Sequence, residues 1–288
     1  MSIIKIGSRK SQLAIKQTEA VIKKLKEHFP NDTFEIVGIS TKGDRQLDKS
    51  LQSFGGKGVF IKEIETALLS GEIDMAVHSA KDMPTEICDG LTISAALLRD
   101  DRSDVLVHFG DTKLSDIKII GTGSARRQSQ AEKLFPNAVF KPIRGNIGTR
   151  FEKVKNGEYD AVIMARAAIN RLAVSDIKIE NLGDNFICAA GQGILAIETA
   201  VGKVDKYAQA INDKVAMTEL KCERAFLQYT GGGCHAPCGA SAEFNGKEIK
   251  MCTFFKENDK EIYLEMFGND PILLGKKMAE ITLDKIKE

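Results

Sequence analysis

The segment TGGGCHAPCGA, residues 230–240, places a thiol directly after three glycines. Glycine loses more conformational freedom on folding than any other residue, so this run is unfavourable unless some group must approach the backbone. Three interpretations of Cys234 are open: a metal ligand, a covalent attachment point, or a buried thiol. The glycines favour covalent attachment, because a bulky group on the sulfur needs an uncluttered loop and a thiolate is a good nucleophile.

A metal site in the same tail is the weaker interpretation. Cys234 and Cys238 have the spacing C-x3-C, and His235 and Cys222 could add ligands, but no second Cys or His pair stands at a distance typical of zinc sites. We therefore expect no metal. The six cysteines are widely spread along a chain without an apparent export signal, which favours free thiols over disulfides.

The stretch HSAKDMPT, residues 78–85, holds a second candidate at the end of a predicted strand. Asp82 could take and return a proton or stabilise a developing positive charge. It could equally pair with Lys81 or cap a turn. His78 and His235 could compete for the acid–base role, although a lone histidine is more often structural.

Two further segments combine hydroxyls and arginines at predicted helix starts, GSRKS (7–11) and GTGSARRQSQ (121–130). Free backbone N–H groups, hydroxyls and guanidinium groups together suit a carboxylate or phosphate. The window 121–150 contains six basic residues and one acidic residue, a balance of +5. Neither GTGSAR nor GGKG has the pattern of a dinucleotide or phosphate loop. The candidate donors are Arg9, Ser11, Thr122, Ser124, Arg126 and Arg127.

Alternating strand-like and helix-like segments place these motifs at strand ends, where α/β sheets bind ligands. The pattern predicts largely parallel sheets up to about residue 214 and an α+β tail after it. Residues 42–58 lack periodicity and read as a loop or lid. There is no apolar run long enough for a membrane span and no signal peptide, so we expect a cytoplasmic protein. Few aromatic residues and no basic tail argue against nucleic acid as a partner.

Taken together, these motifs resemble the porphobilinogen deaminase family of tetrapyrrole biosynthesis, and the resemblance runs nearly end to end. The matching stretches follow the family's order: GSRKSQLAIKQ, TKGD, GGKGVFIKEIE, AVHSAKDMPT, GTGSARRQ, RGNIGTR, YDAVIMA, AAGQG and GGGCHAPCGA. Each stretch alone is a weak indication, whereas the ordered set is highly specific.

The resemblance implies an α/β fold with two periplasmic-binding-protein-like lobes and a small α+β C-terminal domain. The implied boundaries are 1–98 with 193–214 for domain 1, 99–192 for domain 2 and 215–288 for domain 3. The implied enzyme is a monomeric transferase. It adds four porphobilinogen molecules to a dipyrromethane cofactor with loss of ammonia, and then releases hydroxymethylbilane.

The resemblance also implies residue roles. Cys234 would hold dipyrromethane by a thioether bond, and Asp82 would be catalytic. Lys57 and Phe60 would belong to a loop that covers the site. The implied cofactor contacts are Lys81, Asp82, Thr122, Ser124, Arg126, Arg127, Arg144 and Gly145; the implied substrate contacts are Arg9, Ser11, Arg150, Arg171 and Gln192.

Three departures from the family pattern are visible: Gly123 where serine is common, Cys238 where an aliphatic residue is usual, and an unusual RSDVLV strand. The strongest rival from another class is a two-lobed anion-binding receptor or sensor domain. That rival gives no reason for a Cys234 loop or for Asp82.

Overall fold

A computed structural model describes residues 1–41, 61–172, 174–231 and 237–288. Its helices are α1 (Gln12–His28), α2 (Lys62–Ser70), α3 (Ala125–Leu134), α4 (Ile147–Lys155), α5 (Arg166–Leu172), α6 (Asp205–Ile211), α7 (Lys214–Thr230) and α8 (Pro271–Lys287). Its strands are β1 (Ile3–Arg9), β2 (Thr33–Ile39), β3 (Met75–Ser79), β4 (Leu91–Ala96), β5 (Asp104–His108), β6 (Ile119–Gly121), β7 (Val139–Lys141), β8 (Ala161–Ala165), β9 (Lys178–Asn181), β10 (Leu195–Ala200), β11 (Cys238–Phe244), β12 (Ile249–Glu257) and β13 (Lys260–Gly268). The predicted loop at 42–58 lies outside the described residues.

Polar side chains at the helix starts explain where several helices begin. Ser11 accepts a hydrogen bond from the backbone N–H of Ala14, as predicted for a cap of α1. Ser124 caps α3 and Asp213 caps α7 in the same way, each accepting from a backbone N–H of the first turn. These caps satisfy donors that a helix start leaves unpaired, and thereby fix the start of each helix.

Two five-stranded sheets have equivalent strand orders, β2-β1-β3-β10-β4 and β7-β6-β8-β5-β9. In each sheet the first three strands are parallel, and the fourth is antiparallel to both of its neighbours. The prediction of largely parallel sheets is therefore wrong for half of the neighbouring pairs. The physical reason is that β5 and β10 are the strands by which the chain enters each sheet from the other one.

The two segments that cross between these sheets, 97–103 and 182–194, lie against each other. The backbone N–H of Leu97 donates to the carbonyl of Leu195 at 2.9 Å, and that of Asp100 donates to the carbonyl of Gly193 at 3.1 Å. The Arg99 Nε donates to the carbonyl of Gln192 at 2.9 Å. The two crossing segments thus form a hydrogen-bonded pair that connects the sheets.

A third, antiparallel sheet, β11-β12-β13, packs against α7 and α8. Its core includes Phe226, Met251 and Met278, all fully buried. The predicted α+β tail is confirmed, but β11 was not expected, because CGASAEF has few of the branched or aromatic residues that strands favour.

Helix α7 also holds the loop that follows β3. Ala216 and Leu220 pack with Ala96 and Ile194 in a buried cluster. The Arg224 guanidinium donates to the carbonyls of Pro84 and Thr85 at 2.7 and 2.9 Å. The third sheet's helix therefore fixes the loop immediately after Asp82.

Candidate active site

Lys81 and Asp82 lie in a single 3-10 turn, Ala80–Asp82, directly after β3. The turn is anchored because Ala80 is buried and its N–H donates to the carbonyl of Ile194 at 3.0 Å. The Asp82 side chain is exposed, and among the described residues it has no hydrogen-bonded or ion-paired partner. This leaves its carboxylate available to a ligand.

Gly191 explains how close the return crossing comes to this turn. It has φ +72°, a conformation that side chains disfavour, and a Cβ there would lie 2.9 Å from the Cβ of Ala80 and 3.1 Å from the backbone N of Lys81. A larger residue would push the crossing away from Lys81. The glycine of AAGQG is thus required by packing beside the site.

Lys81 is half-buried, and its ammonium donates to Gln192 Oε1 at 3.1 Å. Burial, reinforced by the neighbouring positive charge of Arg127, lowers the pKa of Lys81 to about 8, although Asp82 and Asp104 oppose the shift. The ammonium is therefore easier to deprotonate than an ordinary lysine. A negatively charged ligand beside it would raise its pKa again.

Arg126 and Arg127, at the start of α3, are buried and share one carboxylate, that of Asp104. Arg127 donates to Asp104 Oδ1 through two nitrogens at 3.0 and 2.7 Å and to the carbonyl of Ile163 at 3.0 Å. Arg126 is ion-paired with Asp104 Oδ2 at 2.7 Å and donates to the carbonyl of Ile187. Although burial disfavours its charge, the two guanidiniums and Lys81 hold the pKa of Asp104 well below its usual range.

The predicted hydroxyls stand at the same helix start. Ser124 accepts from the backbone N–H of Arg127 at 3.4 Å, and Thr122 accepts from the backbone N–H of Ser124 at 3.2 Å. Thr122 is buried, whereas Ser124 is half-buried. Both oxygens stabilise the turn that begins α3.

Arg144, Gly145 and Arg150 lie at the start of α4. Arg150 donates from Nε to the carbonyl of Gly145 at 2.9 Å. Burial and then the charge of Arg127 lower the pKa of Arg150, while the carboxylate of Asp82 opposes that shift. Asp82 after β3 and Arg150 on α4 are therefore close enough to interact electrostatically across the space between the two sheets.

Gln192 lies in the crossing segment 182–194, and Arg171, on α5, contacts both crossing segments. Arg171 donates to the carbonyl of Gly193 at 2.6 Å and is ion-paired with Asp100 at 3.4 Å. Gln192 is 1% exposed and uses its amide on Lys81, on Asp104 and on the carbonyl of Arg102. Both side chains are engaged with the protein itself.

Arg9 and Ser11 stand where β1 ends. Because β1 and β3 are parallel neighbours, this end lies at the same edge of the sheet as Lys81 and Asp82. Arg9 is half-buried, and Ser11 caps α1. This edge of the first sheet thus gathers predicted site residues from two separate motifs.

Cys234, His235, Lys57 and Phe60 lie outside the described residues, so their contacts stay predictions. The chain is described up to Gly231, which ends α7 with φ +63°, and again from Pro237. Gly239 in β11 packs against the crossing segment 182–194 and against α3. A Cβ there would lie 2.9 Å from the carbonyl oxygens of Ile187 and Cys188 and 3.1 Å from Arg126 Cδ.

Cys238 is buried in the core of the third sheet. Burial raises the pKa of its thiol to about 12, against weaker opposite effects of Arg126 and Thr230. A thiol with so high a pKa is protonated at neutral pH and is a poor nucleophile.

The metal and histidine alternatives gain nothing from the described residues. His78 is buried, and its Nε2 lies 3.0 Å from Glu198 Oε2, in a pair far inside the first sheet. Cys222 is buried with its Sγ 3.2 Å from the sulfur of Met251. Within the described ranges no group of three or more His, Cys, Asp or Glu side chains could hold a metal ion.

Asp104 is a site residue that the sequence analysis did not single out. It begins the apolar strand DVLVH and is 2% exposed. An acidic residue at the start of a wholly buried strand was the available indication, because a buried carboxylate needs cationic partners. Which arginines supply them depends on the pairing of β5 with β8, which the sequence did not reveal.

The cations are arranged so that they can hold a polyanion. Lys81, Arg126, Arg127 and Arg150 lie around the Asp82 turn, and the described residues place only Asp82 and Asp104 as acids among them in the interactions above. Their sum is 4 − 2 = +2 without Arg144 and Arg9. Such a site suits a ligand that carries several carboxylates.

Comparison with known families matches nearly the whole chain. The family model described as "Porphobilinogen deaminase, dipyromethane cofactor binding domain" matches residues 4–207, and "Porphobilinogen deaminase, C-terminal domain" matches residues 217–284. The porphobilinogen deaminase of Bacillus subtilis is 43% identical over 295 residues, 99% of this chain and 94% of that protein. That of Geobacillus kaustophilus is 42% identical over 290 residues, 98% of this chain and 94% of that protein.

Solved structures also resemble part of the chain. An ancestral cationic amino acid solute binding protein has a TM-score of 0.44 and 13% identity, and the match covers 73% of this chain and 86% of that one. A periplasmic VFT2 domain of BvgS from Bordetella pertussis has a TM-score of 0.42 and 18% identity, with 72% and 84% covered. No described helix is both long and apolar enough to cross a bilayer.

Proposed function

The chain belongs to the porphobilinogen deaminase family, and from that premise we propose which residues perform the family's reaction here. The enzyme is a transferase of haem biosynthesis that joins four porphobilinogen molecules head to tail and releases hydroxymethylbilane. Its cofactor is dipyrromethane. The family models and the curated relatives do not favour the alternative of an anion-binding receptor or sensor domain.

Cys234 is the proposed attachment point, through a thioether bond. When bound, dipyrromethane supplies the pyrrole carbon to which the first porphobilinogen is joined. Cys238 is a poor alternative, because its thiol is buried and its pKa is raised to about 12. Gly239 supports this assignment, since it allows the strand after the cysteine segment to lie directly against Arg126.

The cations around Asp82 are the observation that carries the proposal. Lys81, Arg126 and Arg127, with Thr122, Ser124, Arg144 and Gly145, would hold the acidic side arms of the cofactor. A guanidinium has five N–H donors, and Arg127 directs three nitrogen contacts to Asp104 and Ile163, so donors remain for a carboxylate. Hydrogen bonds between such charged groups are stronger than those between neutral ones.

Asp82 is the proposed catalytic residue. Its exposed carboxylate would stabilise the positive charge that develops as ammonia leaves and as the new carbon–carbon bond forms, and would receive and return a proton on the pyrrole. Lys81 and Arg150 would keep the substrate's carboxylates away from it. This division of charges explains why one acid stands among several cations.

Arg9, Ser11 and Arg150 are the proposed contacts of the incoming porphobilinogen. For Arg171 and Gln192, whose side chains are engaged with the crossing, we propose a role in holding the crossing instead of a direct contact with substrate. Lys57 and Phe60 stay assigned, from the sequence, to a loop that covers the site.

The proposed domain boundaries remain 1–98 with 193–214, 99–192 and 215–288. The return of β10 to the first sheet supports the split first domain, and the contiguous second sheet supports the second. We also propose that the enzyme is a cytoplasmic monomer without nucleic-acid or membrane partners, which sedimentation at micromolar concentration would test for the oligomeric state.

Intact mass of the denatured protein tests the attachment site. Protein purified from a porphobilinogen-making host should carry the added mass of dipyrromethane, and Cys234→Ser should lack it. Cys238→Ser is the matched control and should keep the added mass. A Cys234→Ser protein that still carried covalent dipyrromethane would contradict the assignment.

A further inference from the structure

One buried amide connects the two five-stranded sheets beside the candidate site. Gln192 accepts from the Lys81 ammonium through Oε1 at 3.1 Å and donates through Nε2 to Asp104 Oδ1 at 2.9 Å. A further contact of Nε2, to the carbonyl of Arg102 at 2.7 Å, fixes the orientation of the amide. Lys81 follows a strand of the first sheet, whereas Asp104 begins a strand of the second.

The carboxylate at the far end of this connection is the one that holds the arginine pair. Asp104 Oδ1 accepts from both Gln192 and Arg127, and Oδ2 is ion-paired with Arg126. A continuous row therefore runs from Lys81 through Gln192 and Asp104 to the two guanidiniums. All of its members except Lys81 are less than a tenth exposed.

From this geometry we propose that Gln192 and Asp104 are positioning residues: together they set the place and the charge of the Lys81 ammonium relative to Arg126 and Arg127. The proposal rests on the function proposed above, in which Lys81 and the arginine pair bind carboxylates. It gives Gln192 a task other than contact with substrate. Neither residue is required to touch the reacting atoms.

The surroundings of Lys81 explain why such positioning is needed. Burial and the charges of Arg127 and Arg126 disfavour the ammonium, and Asp82 and Asp104 favour it. The amide oxygen of Gln192 is its hydrogen-bond acceptor. Without that acceptor, or without the negative charge of Asp104, the arginines still repel the ammonium while one group that favours it is gone. The pKa of Lys81 must therefore fall.

Competitive labelling measures this directly and independently of turnover. Holoenzyme is treated with trace acetic anhydride at a series of pH values, and acetylation of Lys81 is quantified by peptide mass spectrometry. Without the cofactor the pKa of Lys81 is about 8, and the carboxylates of the cofactor should place the wild-type midpoint of holoenzyme at or above that value. Gln192→Leu and Asp104→Asn should each lower it by about one pH unit.

Gln130→Leu is the matched control. Gln130 is a buried glutamine on α3 that bonds the backbone N–H and carbonyl of Ile187 and, at 3.4 Å, the backbone carbonyl of Arg126. Its hydrogen bonds within the described part of the chain do not include Lys81 or Asp104. This variant should lose stability yet keep the wild-type midpoint. If Asp104→Asn does not fold, Gln192→Leu against Gln130→Leu still decides the question.

The outcomes separate the two levels of the argument. A wild-type midpoint in Gln192→Leu, or equal shifts in Gln192→Leu and Gln130→Leu, would overturn the positioning role. Activity of Lys81→Met tests the proposed function by itself. If Gln192→Leu shifts the midpoint while Lys81→Met keeps the wild-type kcat/KM for porphobilinogen, the positioning role stands and the carboxylate-binding role of Lys81 fails.

Discussion

Asp82 and Asp104 lie at adjoining strand ends but in opposite surroundings. Asp82 is exposed and without a hydrogen-bond partner among the described residues, whereas Asp104 is 2% exposed and held by two guanidiniums. An open carboxylate can serve a substrate, while a buried and paired one serves the structure. These two environments lead to separate predictions.

Asp82→Asn should lower kcat by about 100-fold or more, because the amide cannot supply the negative charge that the transition state requires. The free energy of unfolding should change by less than about 0.5 kcal/mol, since the side chain is exposed. Steady-state kinetics and urea unfolding measure the two effects. Asp89→Asn, the same change at an exposed acid in the next loop, should leave both unchanged; a normal kcat for Asp82→Asn would remove this residue from the mechanism.

Asp104→Ala should lower the free energy of unfolding by about 3–5 kcal/mol, because it leaves two buried guanidiniums without their shared counter-charge. Urea unfolding followed by circular dichroism measures the loss. Asp184→Ala, at an exposed acid, provides the comparison. Equal stabilities of the two variants would mean that the arginines find other partners at no cost.

The same carboxylate should impose a pH dependence on stability. The pKa of Asp104 is lowered on folding from its ordinary value of 3.8, so its ionised form stabilises the fold fully above that pH. The stabilisation is lost as the pH falls through the lowered, folded-state pKa. The stability difference between the wild type and Asp104→Asn should therefore be constant at pH 5–7 and shrink below about pH 4; a difference that grows on acidification would contradict the assignment.

Elements were easier to predict than the contacts between them. The apolar spacing of α1 and the capping residue Ser11 were readable, because both depend on neighbours a few positions away. The pairing of β10 between β3 and β4 was not, since it joins residues more than a hundred positions apart. The resemblance to a family supplied the expectation of a split first domain, which local patterns could not.

The site follows the same division between local and distant information. Lys81, Asp82 and the arginines stood out through residue type and position at predicted strand ends. The contacts of Asp104 with Arg127 and with Gln192 join residues that are far apart in the sequence, so only the fold revealed them. Gly239 was partly predictable. The sequence singled out the motif that contains it, but not its contacts with Ile187 and Arg126.

Gly239→Ala should weaken the contact between β11 and the start of α3. The added methyl would lie 2.9 Å from two backbone carbonyls, so strand and crossing must separate, at about 1–3 kcal/mol. It should also slow acquisition of covalent cofactor, which mass spectrometry follows over time. Gly38→Ala, where the nearest atoms to the methyl belong to the flexible Lys10 side chain, is the control. Equal thermal midpoints in the two variants would contradict the close packing of β11 on the crossing segment.

At the scale of the whole molecule, one buried ion pair connects all three sheets. Arg99 of the first crossing contacts Glu223 of α7 at 2.6 and 3.2 Å. Glu223 also accepts from the backbone N–H groups of Gly191 and Ala242, at 2.6 and 2.7 Å. The cysteine-bearing part of the chain is thereby tied to both crossings at a point where the first two sheets meet.

Glu223→Gln should lower the free energy of unfolding by about 1.5–3 kcal/mol, because buried Arg99 loses its two contacts with the Glu223 carboxylate and keeps the ion pair with Glu219 at 3.1 Å. The comparison is Glu243→Gln, which breaks the ion pair between Glu243 and Arg102. Because the Glu243 side chain is 62% exposed, this change should lower the free energy of unfolding by less than about 1 kcal/mol. Chemical denaturation of both variants makes the comparison. If both variants lose the same free energy of unfolding, the buried Glu223 ion pair contributes no more to stability than the exposed one.

The position of β10 bears on how the protein is made. The gap between β3 and β4 is filled by residues 195–200, so ribosomes must translate two-thirds of the message before the amino-terminal sheet can close. All five strands of the other sheet lie within residues 104–181, and Leu182 and Phe186, which join one of its core clusters, also precede β10. Nascent polypeptide can thus complete its middle section first, reversing the customary amino-first order of co-translational folding.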